Sequence, residues 1–291
     1  MKPTNLKTKI FLDSGDPEET KEALNLLGFL DGQTTNPTLI SKNPEIAKKL
    51  EIDKKLTQEE ALVFYQKIVK EISQLIPQGS VSLEVYAEKT TKAEQMINQA
   101  KDFFSWIPNA QIKLPLTREG LRAAQISLKE GLRINITLCF SQEQAAAVFL
   151  ATKKAKKEQV FLSPFVGRLD DQGKNGMDLI KNIVKMREKT KSKVEVLTAS
   201  VRNLDHLLYA IYLGSDIITA PLRILKEWAE KDLVLPSKDF QYKVSDLMPM
   251  PYQKLNLNLS WEKFDLYHLL TEIGLEKFTQ DWNSLIKNST L

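Results

Sequence analysis

The sequence is poor in the residues that hold metals and form disulfides. It has one cysteine, Cys139, and two histidines, His206 and His268. A single cysteine cannot form an internal disulfide, which is typical of a protein from a reducing compartment. Two histidines far apart in the chain do not give the spacing of a metal site. Cys139 lies in an apolar stretch, so we expect it to be buried and unreactive.

Other patterns are missing as well. No apolar run approaches the roughly 20 residues of a membrane-spanning helix, and the first ten residues lack the apolar core of a signal peptide. No glycine-rich G-x-G-x-x-G loop is present. The net charge of +4 over 291 residues suits an anionic metabolite but is too small to indicate nucleic-acid binding. We therefore expect a cytoplasmic protein that binds neither nucleic acid nor membranes.

Short β-type runs alternate with amphipathic helical patterns along most of the chain. The predicted strands are Lys9–Ser14, Gly32–Asn36, Val81–Tyr86, Gln111–Leu116, Ile134–Phe140, Val160–Val166, Lys193–Ala199 and Ile217–Ala220. Several helices begin with capping residues, such as Asp16, Thr57 and Ser141. Eight strands separated by helices favour an α/β fold, a closed (β/α)8 barrel of the TIM type. An open doubly wound sheet would be expected to carry the missing glycine-rich loop.

The last part of the chain has a different character. Residues 233–259 are rich in proline and amides and show no helical pattern. We expect this stretch to be a lid or an oligomer contact, because long irregular segments are often functional. Two helices are predicted after it, near Trp261–Thr271 and Leu275–Ile286. The expected organisation is a barrel over residues 1–232, with residues 233–291 packed on it as extra C-terminal helices in the same domain.

Polar and charged side chains stand near the C-terminal ends of almost all predicted strands. In a closed barrel these ends converge on one pocket, where ligands bind. The residues are Asp13, Asn36, Glu84, Lys113, Asn135, Thr137, Ser163, Ser200 and Arg202. Because each buried polar group needs a partner, such a ring is hard to explain by core packing and indicates a binding site.

Lys113 is the most informative member of this ring. It lies in an apolar strand just before a helix that starts near Thr117. A lysine held in a partly dry pocket can lose its proton near neutral pH and attack a carbonyl, forming a Schiff base. That chemistry needs neither a metal nor an added cofactor. A carboxylate must also move protons to and from sugar hydroxyls, and both Asp13 and Glu84 are candidates.

Two arginines that follow different strands suit the other end of a substrate. Arg168 and Arg202 carry guanidinium groups, which match phosphate oxygens, and Ser200 lies beside the second of them. Taken singly, either arginine would equally suit a surface salt bridge. Their shared position at strand ends favours a phosphate site, so the expected ligand is a small sugar phosphate.

Five motifs, in the same order, resemble those of the transaldolase family. They are Thr-Thr-Asn-Pro-Thr-Leu-Ile from Thr34, Ile-Lys-Leu around Lys113 with Glu-Gly-Leu from Glu119, Asn-Ile-Thr-Leu from Asn135, Ser-Pro-Phe-Val-Gly-Arg from Ser163, and Ala-Ser-Val-Arg-Asn from Ala199. The matches run from about residue 9 to residue 222. One of them alone would be weak evidence, whereas five in order are strong.

The resemblance implies a class I aldolase-type barrel and gives each residue a role. Lys113 would be the Schiff-base nucleophile, Asp13 the general acid and base, and Glu84 and Thr137 the holders of a catalytic water. Substrate would be bound by Asn36, Asn135, Ser163, Phe165, Arg168, Ser200 and Arg202, the last three at the phosphate. The reaction would move dihydroxyacetone from fructose 6-phosphate or sedoheptulose 7-phosphate to an aldose phosphate, in the non-oxidative branch of the pentose phosphate pathway.

Two alternatives remain. Fructose-6-phosphate aldolases share the barrel and lysine but release free dihydroxyacetone, and they carry tyrosine and glutamine where this chain has Phe165 and Glu84. The residues present favour transfer. A sugar-phosphate binder without catalysis is the other alternative, although it would not need the proton-transfer groups. The chain departs from the family at Val201, where phenylalanine is usual, and in the tail after residue 233, which leaves a homo-oligomer possible.

Overall fold

Eight short apolar runs form one parallel sheet that closes on itself. In this computed structural model, which describes residues 2–51, 55–244 and 246–287, the strands are β1 (Lys9–Asp13), β2 (Gly32–Thr34), β3 (Ser80–Glu84), β4 (Ala110–Pro115), β5 (Ile134–Cys139), β6 (Val160–Pro164), β7 (Glu195–Thr198) and β8 (Ile217–Ala220). They pair in chain order, and β8 pairs with β1. The strands are buried almost throughout because helices cover the outside and side chains fill the inside. The predicted (β/α)8 barrel is confirmed.

Helices follow the strands and surround the barrel. They are α1 (Pro17–Leu27), α2 (Pro37–Ser41), α3 (Pro44–Glu51), α4 (Gln58–Leu75), α5 (Ala93–Trp106), α6 (Arg118–Lys129), α7 (Gln142–Ala151), α8 (Val166–Asp170), α9 (Gly176–Thr190), α10 (Leu204–Tyr212), α11 (Leu222–Ala229) and α12 (Leu269–Leu285). The predicted caps at Asp16, Thr57 and Ser141 each accept a hydrogen bond from the first turn. Within the described ranges, the helices are too short or too polar to cross a membrane.

The strands end earlier than the sequence pattern suggests. Asn36, predicted as the last residue of a strand, instead caps α2 by accepting a hydrogen bond from the Leu39 N–H at 2.9 Å. Val166, also predicted within a strand, is the first residue of α8. Both short helices begin directly at the C-terminal rim of the barrel, so they hold their side chains close to the strand ends.

The irregular segment 233–259 lies against the outer helices. Asn182 of α9 donates a hydrogen bond to the Met250 carbonyl at 2.7 Å, and Gln142 of α7 donates one to the Pro251 carbonyl at 2.8 Å. Its described residues form no helix or strand, as expected. None of them lines the cavity at the strand ends, so the segment in this conformation is not a lid over that cavity. The oligomer contact stays a prediction, as does the boundary at residue 232.

The second of the two predicted terminal helices, near Leu275–Ile286, is found within α12, whereas the prediction of the first is wrong. Residues Trp261–Lys263 form only a short 3-10 turn, and one long helix, α12, begins after His268 and runs through Gly274. Glycine weakens a helix interior, so its presence at position 274 needs a packing reason. An added Cβ at this position would lie 2.6 Å from Nη1 of Arg168 and 2.6 Å from Cδ2 of Leu138. Glycine therefore lets the middle of α12 approach the barrel rim closely.

Candidate active site

A cavity of about 380 Å³ opens at the C-terminal ends of the strands. Its lining includes nine of the eleven predicted site residues: Asp13, Asn36, Lys113, Thr137, Ser163, Phe165, Arg168, Ser200 and Arg202. Among the described residues, five cationic side chains face it, namely Lys42, Lys113, Arg168, Arg202 and Arg223, against the one carboxylate of Asp13. A cavity with this charge excess attracts anionic ligands.

Lys113 is paired with Glu84 beside this cavity. Both side chains are buried, with about 3% and 4% of their area exposed, and Nζ of Lys113 lies 2.8 Å from Oε2 of Glu84. The pairing follows from the sheet register, because Glu84 on β3 stands directly opposite Lys113 on β4. The angles do not make this contact a hydrogen bond; the ammonium donates instead to the Thr35 carbonyl at 2.9 Å.

Burial raises the pKa of Glu84 above its ordinary value, and the positive charges of Lys113 and Arg168 oppose that rise. The carboxyl group therefore exchanges protons more readily near neutral pH than a solvent-exposed glutamate does. Glu84 does not line the main cavity. It lines a separate cavity of about 10 Å³ together with Phe278 and Thr279, which is about the space one water molecule needs.

Tyr65, on α4, fixes the two groups that contact the amine. Its hydroxyl accepts a hydrogen bond from the Glu84 backbone N–H at 2.9 Å and lies 2.8 Å from the Thr35 hydroxyl. Burial raises the pKa of Tyr65, so the hydroxyl keeps its proton. Sequence reasoning missed this residue, because a tyrosine on the apolar face of a helix is ordinarily read as core.

Asp13, at the end of β1, belongs to a chain of hydroxyl groups. Thr34 donates a hydrogen bond to Asp13 Oδ1 at 2.6 Å, and its oxygen lies 2.6 Å from the hydroxyl of Thr219 on β8. Because the proton of Thr34 is used on Asp13, Thr219 is the donor to Thr34. Burial raises the pKa of Asp13, while Lys113, the bond from Thr34 and Arg168 act in the opposite direction. Thr34 and Thr219 line the cavity and were not predicted as site residues.

Strand β5 brings two predicted residues to the interior at different depths. Thr137 lines the cavity, and within the described part of the chain its buried hydroxyl has no hydrogen-bond partner. Asn135 lies two residues earlier, one layer deeper in the barrel. Its amide donates to Ser82 at 3.1 Å and accepts from Ser163 at 2.7 Å. Asn135 thus orients Ser163, which lines the cavity, and does not itself face it.

A distorted backbone accompanies the position of Thr137. The pairing of β5 with β6 shifts register between Ile136 and Cys139, and Leu138 has φ +63°. This left-handed conformation is costly for a residue with a branched side chain and is found where surrounding structure imposes it. The Leu138 carbonyl accepts a hydrogen bond from Thr271 of α12 at 2.9 Å. Such bulges redirect side chains next to active sites. Cys139 beside it is buried, as predicted.

Three arginines of the cavity, Arg168, Arg202 and Arg223, follow β6, β7 and β8. Among the described residues, Arg168 has neither an ion-pair partner nor a hydrogen-bond acceptor; its guanidinium packs against Phe165 at 5.3 Å and Phe278 at 5.5 Å from the ring centres. Burial lowers the pKa of Arg168, and Glu84 opposes this. A partly buried cation without an anionic partner indicates a binding site for an anion.

Two further arginines stand near Arg168. Arg202 is exposed and pairs with Asp171 at 2.8 Å, a contact that contributes little in solvent. Arg223 donates to the Arg202 carbonyl at 2.7 Å. Ser200 lies in the loop between β7 and α10 and has φ +61°, so the chain is held in a tight turn here. Arg223 and Lys42 were not singled out from the sequence, since each reads as an ordinary surface cation.

Two phenylalanines make the apolar wall of the cavity. Phe165 follows β6 and packs edge-on against Phe140 with ring centres 5.8 Å apart. Phe278 comes from α12 and lies 5.9 Å from the Lys113 amine, measured to its ring centre. This aromatic surface excludes water from one side of the amine. The role of Phe278 could not be predicted, because nothing in the sequence shows which surface α12 packs on.

The chain is similar to known proteins over almost its whole length. The sequence profile of a family described as Transaldolase/Fructose-6-phosphate aldolase matches residues 10–289. A probable transaldolase from Dehalococcoides mccartyi is 33% identical over 279 residues, 96% of this chain and 100% of the relative. One from Methanococcus maripaludis is 35% identical over 279 residues, 96% and 99% of the two chains. A probable transaldolase from Thermoplasma volcanium is 39% identical over 218 residues, which are 75% of this chain and 86% of the relative.

Proposed function

The chain belongs to the transaldolase/fructose-6-phosphate aldolase family, and on this premise we propose that it is a transaldolase that acts through a Schiff base on Lys113. The resemblance to this family, inferred from the five motifs, is confirmed. Membership of the family supports an enzyme of the aldolase or transferase type. The observation that carries the proposal is the buried Lys113 amine, 2.8 Å from Glu84 and at the wall of a cavity rich in cations. The proposed substrates are the ketose and aldose phosphates of the pentose phosphate pathway.

The first step joins the lysine to the ketose. The Lys113 ammonium gives a proton to Glu84, and the freed nitrogen lone pair adds to C2 of the ketose phosphate. The resulting carbinolamine takes the proton back from Glu84 on its hydroxyl group, which leaves as water. The net change is loss of one water and formation of a protonated imine, so charge and protons balance. Thr137, with an unpartnered hydroxyl, and Glu84, beside a space of one water, are suited to hold the water that carries these protons.

The second step breaks the carbon–carbon bond. Asp13 accepts the proton of the C4 hydroxyl, the C3–C4 electron pair moves toward the imine nitrogen, and C4 leaves as an aldehyde. The remaining three carbons stay on Lys113 as an enamine. An acceptor aldehyde then enters, the enamine carbon attacks it, and Asp13 returns the proton to the new hydroxyl group. A carboxyl group whose pKa is raised by burial suits both directions of this exchange.

The phosphate of either substrate would bind at Arg168, Ser200 and Arg202. Arg168 is pre-ordered by its two aromatic neighbours and has no competing acceptor among the described residues. Asn36 uses its oxygen to cap α2, which leaves its amide nitrogen available for a sugar hydroxyl. Ser163, held by Asn135, presents its hydroxyl to the same cavity.

Borohydride trapping tests the lysine directly. The protein is incubated with fructose 6-phosphate, reduced, digested, and analysed by mass spectrometry. We expect a reduced three-carbon adduct on Lys113, and its loss in Lys113→Met. The matched control is Lys42→Met, since Lys42 lines the same cavity but is exposed; it should still give the Lys113 adduct. Labelling of another lysine, or of none, would contradict the proposal and favour a binder without catalysis.

Transfer and simple release are separated by the acceptor. Free dihydroxyacetone is measured with and without erythrose 4-phosphate. A transaldolase releases little without the acceptor, whereas a fructose-6-phosphate aldolase releases the same amount in both cases. Phe165 presents a ring without a hydroxyl group to the cavity, which favours transfer because no phenol activates water there. We further propose that the enzyme works in the cytoplasm, without a cofactor; a homo-oligomer stays a prediction.

A further inference from the structure

Two separate pieces of chain carry the cations of the proposed phosphate site. Arg168 lies on α8, whereas Ser200 and Arg202 lie in the loop after β7. The pieces run side by side: the Val166 N–H donates to the Ala199 carbonyl and the Gly167 N–H to the Ser200 carbonyl, each at 3.0 Å. An added Cβ at Gly167 would collide with the Ser200 carbonyl and the Arg202 side chain. Any shift of one piece against the other therefore changes the spacing of the guanidinium groups.

His206 connects the two pieces. It lies in the first turn of α10, and its side chain is 2% exposed. Nδ1 accepts a hydrogen bond from the Arg202 backbone N–H at 3.3 Å, and Nε2 lies 2.9 Å from Oδ2 of Asp170, the last residue of α8. The other oxygen of Asp170 accepts from the Gly176 N–H at 2.9 Å. One imidazole thus joins the loop with Arg202 to the helix with Arg168.

The hydrogen bonds fix the form of the imidazole. Since Nδ1 accepts, the ring proton sits on Nε2 and is donated to Asp170, an arrangement in which a carboxylate sets the tautomer of a histidine. The Asn203 side chain caps α10 by accepting a hydrogen bond from the backbone N–H of His206 at 2.8 Å. The backbone that carries the imidazole is therefore fixed as well. Both ring nitrogens are satisfied, as a buried polar group requires.

We propose that His206, together with Asp170, is a positioning residue for phosphate recognition. It holds Arg168 and Arg202 at a fixed spacing on one wall of the cavity, and it does not touch the substrate. This inference rests on the proposed function, since it assigns the anion at this wall to the substrate phosphate. The amine of Lys113 and the carboxylate of Asp13 come from other strands and have no contact with the pair, so the chemical step should not depend on it.

Three substitutions separate the two hydrogen bonds. In His206→Asn the amide oxygen can still accept from the Arg202 N–H, but the side chain is too short for Asp170. In His206→Gln the amide nitrogen can still donate to Asp170. His206→Phe keeps the planar shape and loses both bonds. The matched control is Asn109→Ser, which removes partly buried hydrogen bonds to the Ile76 and Gly79 carbonyls at the opposite end of the barrel.

The readouts distinguish a phosphate effect from general damage. For His206→Phe we expect KM for fructose 6-phosphate to rise about tenfold, as for the loss of one or two hydrogen bonds, with kcat within about twofold. With unphosphorylated fructose, kcat/KM should stay unchanged. His206→Asn and His206→Gln should be intermediate, and Asn109→Ser should lower the melting temperature without changing the KM for fructose 6-phosphate.

Titration calorimetry with inorganic phosphate completes the test, because it needs no turnover. The Kd for phosphate should rise in parallel with KM across the three histidine variants. Equal losses on fructose and fructose 6-phosphate, or an unchanged phosphate Kd, would overturn the inference. If the wild type binds phosphate as expected but never forms a Lys113 adduct, the proposed reaction fails while the positioning role of His206 stands.

Discussion

Replacing Gly274 with alanine should damage phosphate binding while leaving the fold intact. Gly274 lies in the interior of α12, where an added Cβ would stand 2.6 Å from the Arg168 guanidinium and 2.6 Å from the Leu138 side chain. Carbon atoms do not approach other groups that closely without displacement. The guanidinium is the free end of a flexible side chain, so it moves away before the helix does.

The magnitudes separate stability from affinity. Alanine is favoured over glycine in a helix interior by about 1 kcal/mol, whereas overpacking against Leu138 costs about 1–3 kcal/mol. The two effects largely offset, so the free energy of unfolding should change by less than about 2 kcal/mol. Displacing Arg168 removes at least one charge-assisted hydrogen bond to phosphate, worth about 1.5–3 kcal/mol. This corresponds to a rise in KM of roughly ten- to a hundredfold.

The assay is steady-state kinetics with fructose 6-phosphate, together with chemical denaturation. Ile273→Ala is the matched control, because Ile273 is the neighbouring residue on α12 and is 48% exposed. It should leave KM unchanged. If Gly274→Ala also leaves KM unchanged, or lowers kcat for fructose and fructose 6-phosphate alike, then Arg168 is not placed by α12 as we argue.

Three other predictions follow from the cavity. Thr34→Val removes the hydrogen bond that lowers the pKa of Asp13, so this pKa rises and the acidic limb of the kcat/KM profile moves to higher pH. Thr219→Val acts one hydrogen bond further away and should move this limb less. Equal shifts in the two variants, or shifts to lower pH, would contradict the hydroxyl chain. Phe165→Tyr adds a hydroxyl group to the wall of the cavity that Lys113 also lines, and it should increase release of dihydroxyacetone without acceptor, measured as free product. No increase would remove the proposed reason for transfer. Raising the salt concentration shortens the Debye length from about 30 Å at 0.01 M to about 8 Å at 0.15 M. We therefore expect kcat/KM to fall for fructose 6-phosphate and not for fructose. Equal responses of the two substrates would show that the cavity cations do not attract the substrate.

Much of the fold could be predicted because barrel strands are local features. Each of the eight strands is a short apolar run bounded by turn residues. Six predicted runs contain the observed strand, and β3 and β4 begin one residue before the predicted run. The ends were less predictable, since Asn36 and Val166 begin short helices whose stability depends on the rim of the barrel. The position of a residue near a strand end nevertheless sufficed to bring nine of the predicted site residues to one cavity.

The remaining features depend on contacts between distant parts of the chain. Phe278 reaches the cavity because α12 packs on α2 and β5, and periodicity identifies the buried face of a helix but not its partner. The packing reason for glycine at position 274 lies on other elements, at Arg168 and Leu138. Tyr65 and His206 resemble ordinary core residues until their hydrogen bonds to the site are seen.

The distribution of the site around the barrel has a consequence for substrate length. The amine stands on β4, and the guanidinium groups follow β6 and β7. The amine and the Arg168 guanidinium both lie against the ring of Phe278, 5.9 Å and 5.5 Å from its centre, so this ring bridges the interval between them. Only a molecule that reaches across this interval can engage both ends at once. Because the strands that carry the two ends set this interval, a substitution at either end would change the affinity for the substrate. It would not change the length of substrate that can bind both ends.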